Sequence, residues 1–110
     1  MKICAAAVKY TGKRKTVLVS GSSHVDCEDY ARDMEIAAGI ELTEVPVKGF
    51  VTSDLTFKDR VEALEIVKEQ GQMKDGFHDP DRLMSYMLDL STVPSDKRYL
   101  LGTGIVGLES

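Results

Sequence analysis

The chain has 110 residues, 43% of them hydrophobic and 29% charged, with a net charge of −4. That length suits a single domain spanning 1–110 with one modest core, and the composition is globular rather than disordered. The acidic balance repels a phosphate backbone, which argues against non-specific nucleic-acid binding, and no run approaches the roughly 18 apolar residues of a membrane span.

The opening stretch, Met1 to Val8, is apolar but short, and Lys9 follows at once. Its β-branched residues suit a first strand, Ile3 to Tyr10, better than an export signal. A cytoplasmic setting is the expectation, with Cys4 and Cys27 reduced. Thr11-Gly12-Lys13 reads as a turn and Thr16 to Val19 as the second strand of a hairpin. Ser20 to Ser23 breaks the pattern, and Ser23 or a neighbour can cap a helix. Cys27, Tyr30, Ala31, Met34, Ala37 and Ala38 recur at three and four, which predicts one helix stopped by Gly39.

Ile40, Leu42 and Val45 alternate with polar residues until Pro46 interrupts them. Gly49 to Thr52 predicts a strand, Ser53-Asp54 a turn, and Leu55 to Phe57 a short return strand. Asp59 opens a second helix with Val61, Leu64 and Val67 on its apolar face, and Gly71 ends it. Pro80 fits the first turn of a third helix capped by Asp79, with Leu83, Met84, Met87 and Leu88 inward. After Pro94 the residues Tyr99 to Leu101 and Ile105-Val106 suit a late strand or a docked tail. The fold expected is α+β: an antiparallel sheet with about three helices on one face, order β-β-α-β-β-α-α plus a C-terminal strand.

Several motifs suggest chemistry. Gly102 to Gly107 spells G-x-G-x-x-G, but no helix can follow it within three residues, so the dinucleotide reading lacks its context. His24 and Cys27 sit one helical turn apart, which would suit a thiol nucleophile; Cys27 also falls on the apolar stripe, and no third orienting group is evident. The histidines and nearby acids lack zinc-ligand spacing, and Asp75-Gly76 with Asp79-x-Asp81 lacks the full calcium-loop pattern. Neither a metal nor a cofactor is expected.

The stretch Gly49-Phe50-Val51-Thr52, Phe57-Lys58-Asp59-Arg60, Glu62-Ala63 and Gly71-Gln72 carries a resemblance. Small phage-encoded proteins share a Gly-Phe-[Val/Leu]-Thr strand, a Phe-x-[Asp/Asn]-Arg corner, a Glu-Ala helix and a terminal Gly-Gln. Lys2 to Lys9 looks like their opening strand, and Tyr86 to Leu90 like their short acidic segment, with Asp89 at the matching acid. The resemblance spans about four-fifths of the chain. It is to the sponge-type Thoeris anti-defence family, which binds and sequesters a cyclic ADP-ribose signal without cleaving it.

The resemblance implies a non-enzymatic, phage-encoded homo-oligomer built from dimers, acting in the host bacterial cytoplasm on a small nucleotide signal. It implies Phe50 as an adenine platform, Asp59 as a ribose partner, Arg60 as a phosphate partner, and Asp89 and His24 as further ligand groups. The relatives' Thr-Gly-Lys-Arg-His reads Ser20-Gly21-Ser22-Ser23-His24 here, so two serines replace a basic pair. If the relatives' pair meets a pyrophosphate, this chain has lost that contact, moved it to Arg14 or Lys15, or binds another ligand. Read from the residues alone, Phe50 and Phe57 also suit a core, Asp59 a helix cap and Arg60 a surface ion pair. The alternatives are a phage accessory factor that binds a protein, and a thiol enzyme using Cys27 and His24.

Overall fold

The computed structural model describes residues 1–78 and 80–109, the last two of these by backbone only. Ile3–Thr11 forms β1 and Thr16–Gly21 forms β2, joined as the expected hairpin with Thr11 opposite Thr16 and Ala6 opposite Gly21. Successive β1 side chains point to opposite faces of the sheet, and both faces are covered, so the strand is apolar nearly throughout. Ile3, Ala6, Val8 and Tyr10 face the helices, while Cys4, Ala5 and Ala7 face the opposite layer. A register shift between Ile3 and Ala5 lets Cys4 and Ala5 share that opposite side.

Ser23 caps α1, His24–Asp33, its hydroxyl accepting from the Asp26 amide at 3.1 Å. The single helix expected as far as Gly39 is in fact two. Glu35 turns left-handed, with φ 52°, and Ile36–Ile40 forms α2 with Gly39 inside it. In one continuous helix Ile36 would lie about 140° round from the buried Ala31. The break turns Ile36 and Ile40 into the core and leaves Met34, Ala37 and Ala38 exposed.

Val47–Thr52 forms β3 and Phe57–Asp59 forms β4. Leu55, expected in the return strand, sits instead in the turn at φ 65°, where the Thr52 hydroxyl bonds Asp54 and accepts from the Thr56 amide. Arg60–Gln70 forms α3, and Gly71 ends it in the left-handed conformation that glycine tolerates. Ala63, Leu64 and Val67 pack inward against Ile3, Ala6 and Phe50, whereas Val61 is exposed.

The third α-helix expected after Pro80 does not form. Leu83, Met87 and Leu88 are buried as their apolar character requires, but only Ser85–Met87 makes a 3₁₀ turn. This segment's backbone is used elsewhere: the Lys74 amide donates to Met87 and the Asp89 amide to Gln72. Asp79, expected as the cap and in the Asp79-x-Asp81 pair, lies outside the described residues.

Short 3₁₀ turns at Leu90–Thr92 and Ser95–Leu101 lead to β5, Gly104–Glu109. The G-x-G-x-x-G letters therefore belong largely to a strand. The sheet runs β4-β3-β1-β2-β5, every neighbouring pair antiparallel. The helices cover one face. Val93 and Leu100 seal Cys4, Ala5, Ala7 and Val51 on the other, and the Ser20 hydroxyl donates to the Leu100 carbonyl at 2.9 Å. The architecture is the α+β one expected.

Candidate functional site

Gly49 brings β3 so close to β4 that a Cβ there would strike the Lys58 carbonyl and the Phe57 ring. The close approach sets Asp59 opposite Gly49 and places the start of α3 beside the segment Val45-Pro46-Val47-Lys48. Between them lies an open groove of about 490 Å³. Lys48, Arg60 and Arg82 bring three cations to it, Asp59 a single carboxylate, and Val45, Val47 and Val61 its apolar walls. Lys48 also meets Glu28 at 3.3 Å. A net −4 chain thus carries a locally positive groove. Across the Val45–Lys48 ridge, a second cleft of about 750 Å³ is lined by Tyr10, Ala31, Ala37 and Ala38.

The residues expected to bind a ligand divide between this groove and the core. Arg60 lines the groove, with Nη1 3.9 Å from the Met84 sulfur. Asp59 lines it too, but one carboxylate oxygen, Oδ1, accepts from the Val61 and Glu62 amides at 2.9 and 2.8 Å. Glu62 accepts from the Asp59 amide in return, completing a capping box. The Glu62 amide above all holds the Asp59 carboxyl below its ordinary value.

Phe50 is corrected. It is fully buried, its ring edge-on to His24 at 5.0 Å, and in this chain it offers no face for an adenine to stack on. Its burial follows from the pleat, which points Phe50 at α3 and Val51 at the opposite layer. Asp89 is not at the groove. It caps the Leu90–Thr92 turn, accepting from the Ser91 amide at 3.0 Å and its hydroxyl at 2.7 Å. Those hydroxyl and amide bonds hold its carboxyl below the ordinary value.

His24 is buried behind the groove, its Nε2 2.7 Å from the Gly49 carbonyl. A carbonyl only accepts, so Nε2 donates and the ring is held in one tautomer. Burial, with Arg60 and Lys48 adding to it, lowers the His24 pKa from its ordinary 6.5. Unfolded chains therefore bind a proton near pH 6.5 that the folded chain refuses, so stability rises with pH through that window. We expect denaturant stability to fall as pH drops from about 8 to about 5, by at most ~1.4 kcal/mol per pH unit. A His24→Asn variant should flatten that slope; an unchanged slope would assign it to other groups.

Cys27 is not paired with His24. Its sulfur lies 3.7 Å from the Ala6 carbonyl, and burial, with Asp26 and Glu28, pushes the thiol up to about 12. Such a thiol is not a thiolate at neutral pH. Among the described residues no three of His, Cys, Asp and Glu gather as a metal site would require. The two serines in the relatives' basic positions have structural work: Ser23 caps α1, and the Ser22 hydroxyl donates to Asp26 at 2.8 Å. Arg14 and Lys15 line a separate depression beside Gly39 to Glu41 and do not replace the missing charge at the groove.

Residues 2–89 match the family described as Phage T4 y16D protein. The chain belongs to this family. It is therefore a small phage protein by family, and the matched stretch carries the groove, α3 and Gln72, while β5 lies beyond it. No curated protein and no solved structure matches the y16D-family chain. No described helix is long and apolar enough to cross a membrane.

Nothing in the sequence joins Lys48 and Arg82. They stand 34 positions apart in the numbering, and only the fold brings them together. The Val45-Pro46-Val47 ridge had a signal, since Pro46 breaks the alternation of the apolar residues before it.

Proposed function

We propose that this y16D-family protein binds and sequesters a cyclic ADP-ribose-type or cyclic nucleotide immune signal without cleaving it, as a phage anti-defence protein. The observation that carries the reading is the convergence of Lys48, Arg60 and Arg82 on one groove of an otherwise acidic protein. A pyrophosphate needs two or three such cations, and Arg meets it with a planar fork of donors. The adjoining cleft beside Tyr10, Ala31 and Ala37 offers an apolar seat for a base. The resemblance to sponge-type Thoeris anti-defence proteins adds the class of signal, the oligomer built from dimers and the host cytoplasm as the place of action. With Phe50 buried, the base rests on the cleft wall instead.

Sequestration rather than catalysis fits the site's chemistry. The groove's carboxylate is occupied by a capping box, and Cys27 and His24 are buried and bonded to different backbone carbonyls. Thermal shift with cyclic ADP-ribose isomers and cyclic dinucleotides tests the reading. A ligand at 100 times its Kd stabilises by about 2.7 kcal/mol. Arg60→Glu and Arg82→Glu should each abolish the shift while leaving the far-ultraviolet spectrum unchanged. Ligand recovered intact after heat denaturation identifies a sponge; recovered product identifies a hydrolase. No shift with any of these ligands sinks the proposal.

A second reading has its own support. Val45 is 84% exposed and Val61 58%, and both line the groove. Exposed aliphatic residues beside cations also suit a protein-binding phage accessory factor. That reading predicts a host partner that Val45→Asp releases, with no nucleotide effect.

A further inference from the structure

The sheet face away from the helices carries a pocket of its own. Val93 and Leu100 close the end of that face at Cys4, Ala5, Ala7 and Val51. Beyond them Lys9 on β1 stands beside Leu18 on β2, and Leu18 beside Gly107 on β5. The Phe57 ring reaches in from β4 over Gly49. With Thr16, Leu55 and Thr56 these residues enclose about 270 Å³. The pocket shares no lining residue with the groove or with the cleft beside Tyr10.

Two features of it suit a ligand. Half-buried Lys9 holds its ammonium 5.0 Å from the Phe57 ring centroid, and among the described residues it meets no carboxylate. A cation partly stripped of water pulls harder on an anion. Leu55 is the second feature. Its backbone is left-handed at φ 65°, a strained conformation for a bulky residue. Yet its side chain is 47% exposed on the pocket wall, so core burial does not offset the strain. Buried Thr52 imposes it. The Thr52 carbonyl accepts from the Leu55 amide at 2.9 Å, and its hydroxyl bonds Asp54 and accepts from the Thr56 amide at 3.1 Å. Strain fixed by its surroundings is a recurring feature of ligand clamps.

The geometry points to a second binding site on this face, for a small monocarboxylate with an apolar body. Lys9 takes the carboxylate, and Phe57, Leu18 and Leu55 hold the body. One ammonium matches one carboxylate, whereas a pyrophosphate calls for the several cations found at the groove. The volume has room for roughly nine waters, which suits an acid the size of benzoate and is too small for a dinucleotide. The inference is independent of the nucleotide reading, since the two sites lie on opposite faces of the sheet and have no residue in common.

The test titrates the full chain with benzoate and phenylacetate and follows its backbone amides by NMR. Both acids should shift the amides of Lys9, Leu18, Thr56 and Phe57 saturably, with a Kd of about 1 mM for ligands this small. Benzyl alcohol lacks the charge and inorganic phosphate lacks the apolar body, so each should bind roughly tenfold more weakly or worse. Lys9→Met keeps the stem, removes the charge and should weaken benzoate by a similar factor. Leu55→Asn accepts the left-handed backbone, so its melting temperature should hold or rise while benzoate binding weakens. Pocket amides unmoved by about 20 mM benzoate, a level that fills such a site, overturn the inference. So do benzyl alcohol binding as tightly as benzoate, and shifts confined to the groove around Arg60 and Arg82. Should Lys9→Met fail to fold, the wild-type comparison of benzoate with benzyl alcohol decides.

Discussion

Gln72→Leu should lower the melting temperature by roughly 10 °C or more, among the largest changes available from one side chain here. Gln72 is completely buried, and its amide ties three parts of the chain together. Its oxygen accepts from the Ile3 amide at 2.8 Å, and its nitrogen donates to the Ile3 carbonyl at 2.8 Å and to the Thr92 hydroxyl at 3.0 Å. Leucine fills the space and returns none of these bonds. The Ile3 N–H and C=O would stay in the core unpaired, at about 1–3 kcal/mol each. Domains of this size have a total stability of about 5–15 kcal/mol. Gln72→Glu separates the bonding from the shape. An ionised Glu keeps the acceptor, loses both donated bonds and buries a charge. Acid should partly rescue it, because the protonated carboxyl donates again and carries no charge. A Gln72→Leu protein melting within about 2 °C of the wild type would show that water or a neighbour replaces the amide.

Gly49→Ala should cost about 3 kcal/mol, the upper range for an overpacked site, and should remove ligand binding with it. The added methyl meets the Lys58 carbonyl, which is backbone and cannot swing aside, as well as the Phe57 ring. Relief requires β3 and β4 to splay. β4 delivers Asp59 and Arg60 to the groove, so the damage reaches the cation cluster through the strand. The comparison is Gly39→Ala, inside α2 with no atom near its would-be Cβ. There alanine should be neutral or stabilising by up to about 1 kcal/mol. Urea denaturation of the pair reads both outcomes, and equal midpoints would refute the clash.

These two residues show what the motif from Gly49 to Gln72 encodes. Gly49 permits the close approach, Phe50 fills the core, Asp59 and Glu62 make the capping box, Gly71 ends α3, and Gln72 ties the strand to the loop. Most of the pattern that suggested a ligand site is a folding pattern, and Arg60 is the member left facing the groove. Local signals were readable for local reasons. Ser23 and Asp59 announced helix starts because a short oxygen-bearing side chain satisfies amides two and three residues on. The hairpin was readable from β-branched runs about a glycine turn.

Other features depend on distant partners and left no such trace. The split between α1 and α2 depends on which side Ile36 must face, which spacing within the segment does not state. The stretch Leu83 to Leu88 has helical spacing, yet its backbone is engaged by distant residues: the Leu83 amide donates to the Arg60 carbonyl, and the Met87 carbonyl accepts from the Lys74 amide. Phe50's alternation was uninformative because both faces of β3 are covered. The groove's cations are ordinary surface residues until the backbone gathers them.

The central position of β1 has a consequence for how the protein is made. β1 precedes every element it needs: β2 on one side, β3 on the other, and the Gln72 amide at its start. A ribosome delivers it long before Val93 and Leu100 are available to close its far face. Until then Ala5, Ala7 and Val51 have only Leu18 and Phe57 beside them, so the nascent chain passes through a stage with a largely bare apolar sheet face. Its final compaction waits until Val93 and Leu100 have been synthesised, a window in which chaperones protect such surfaces.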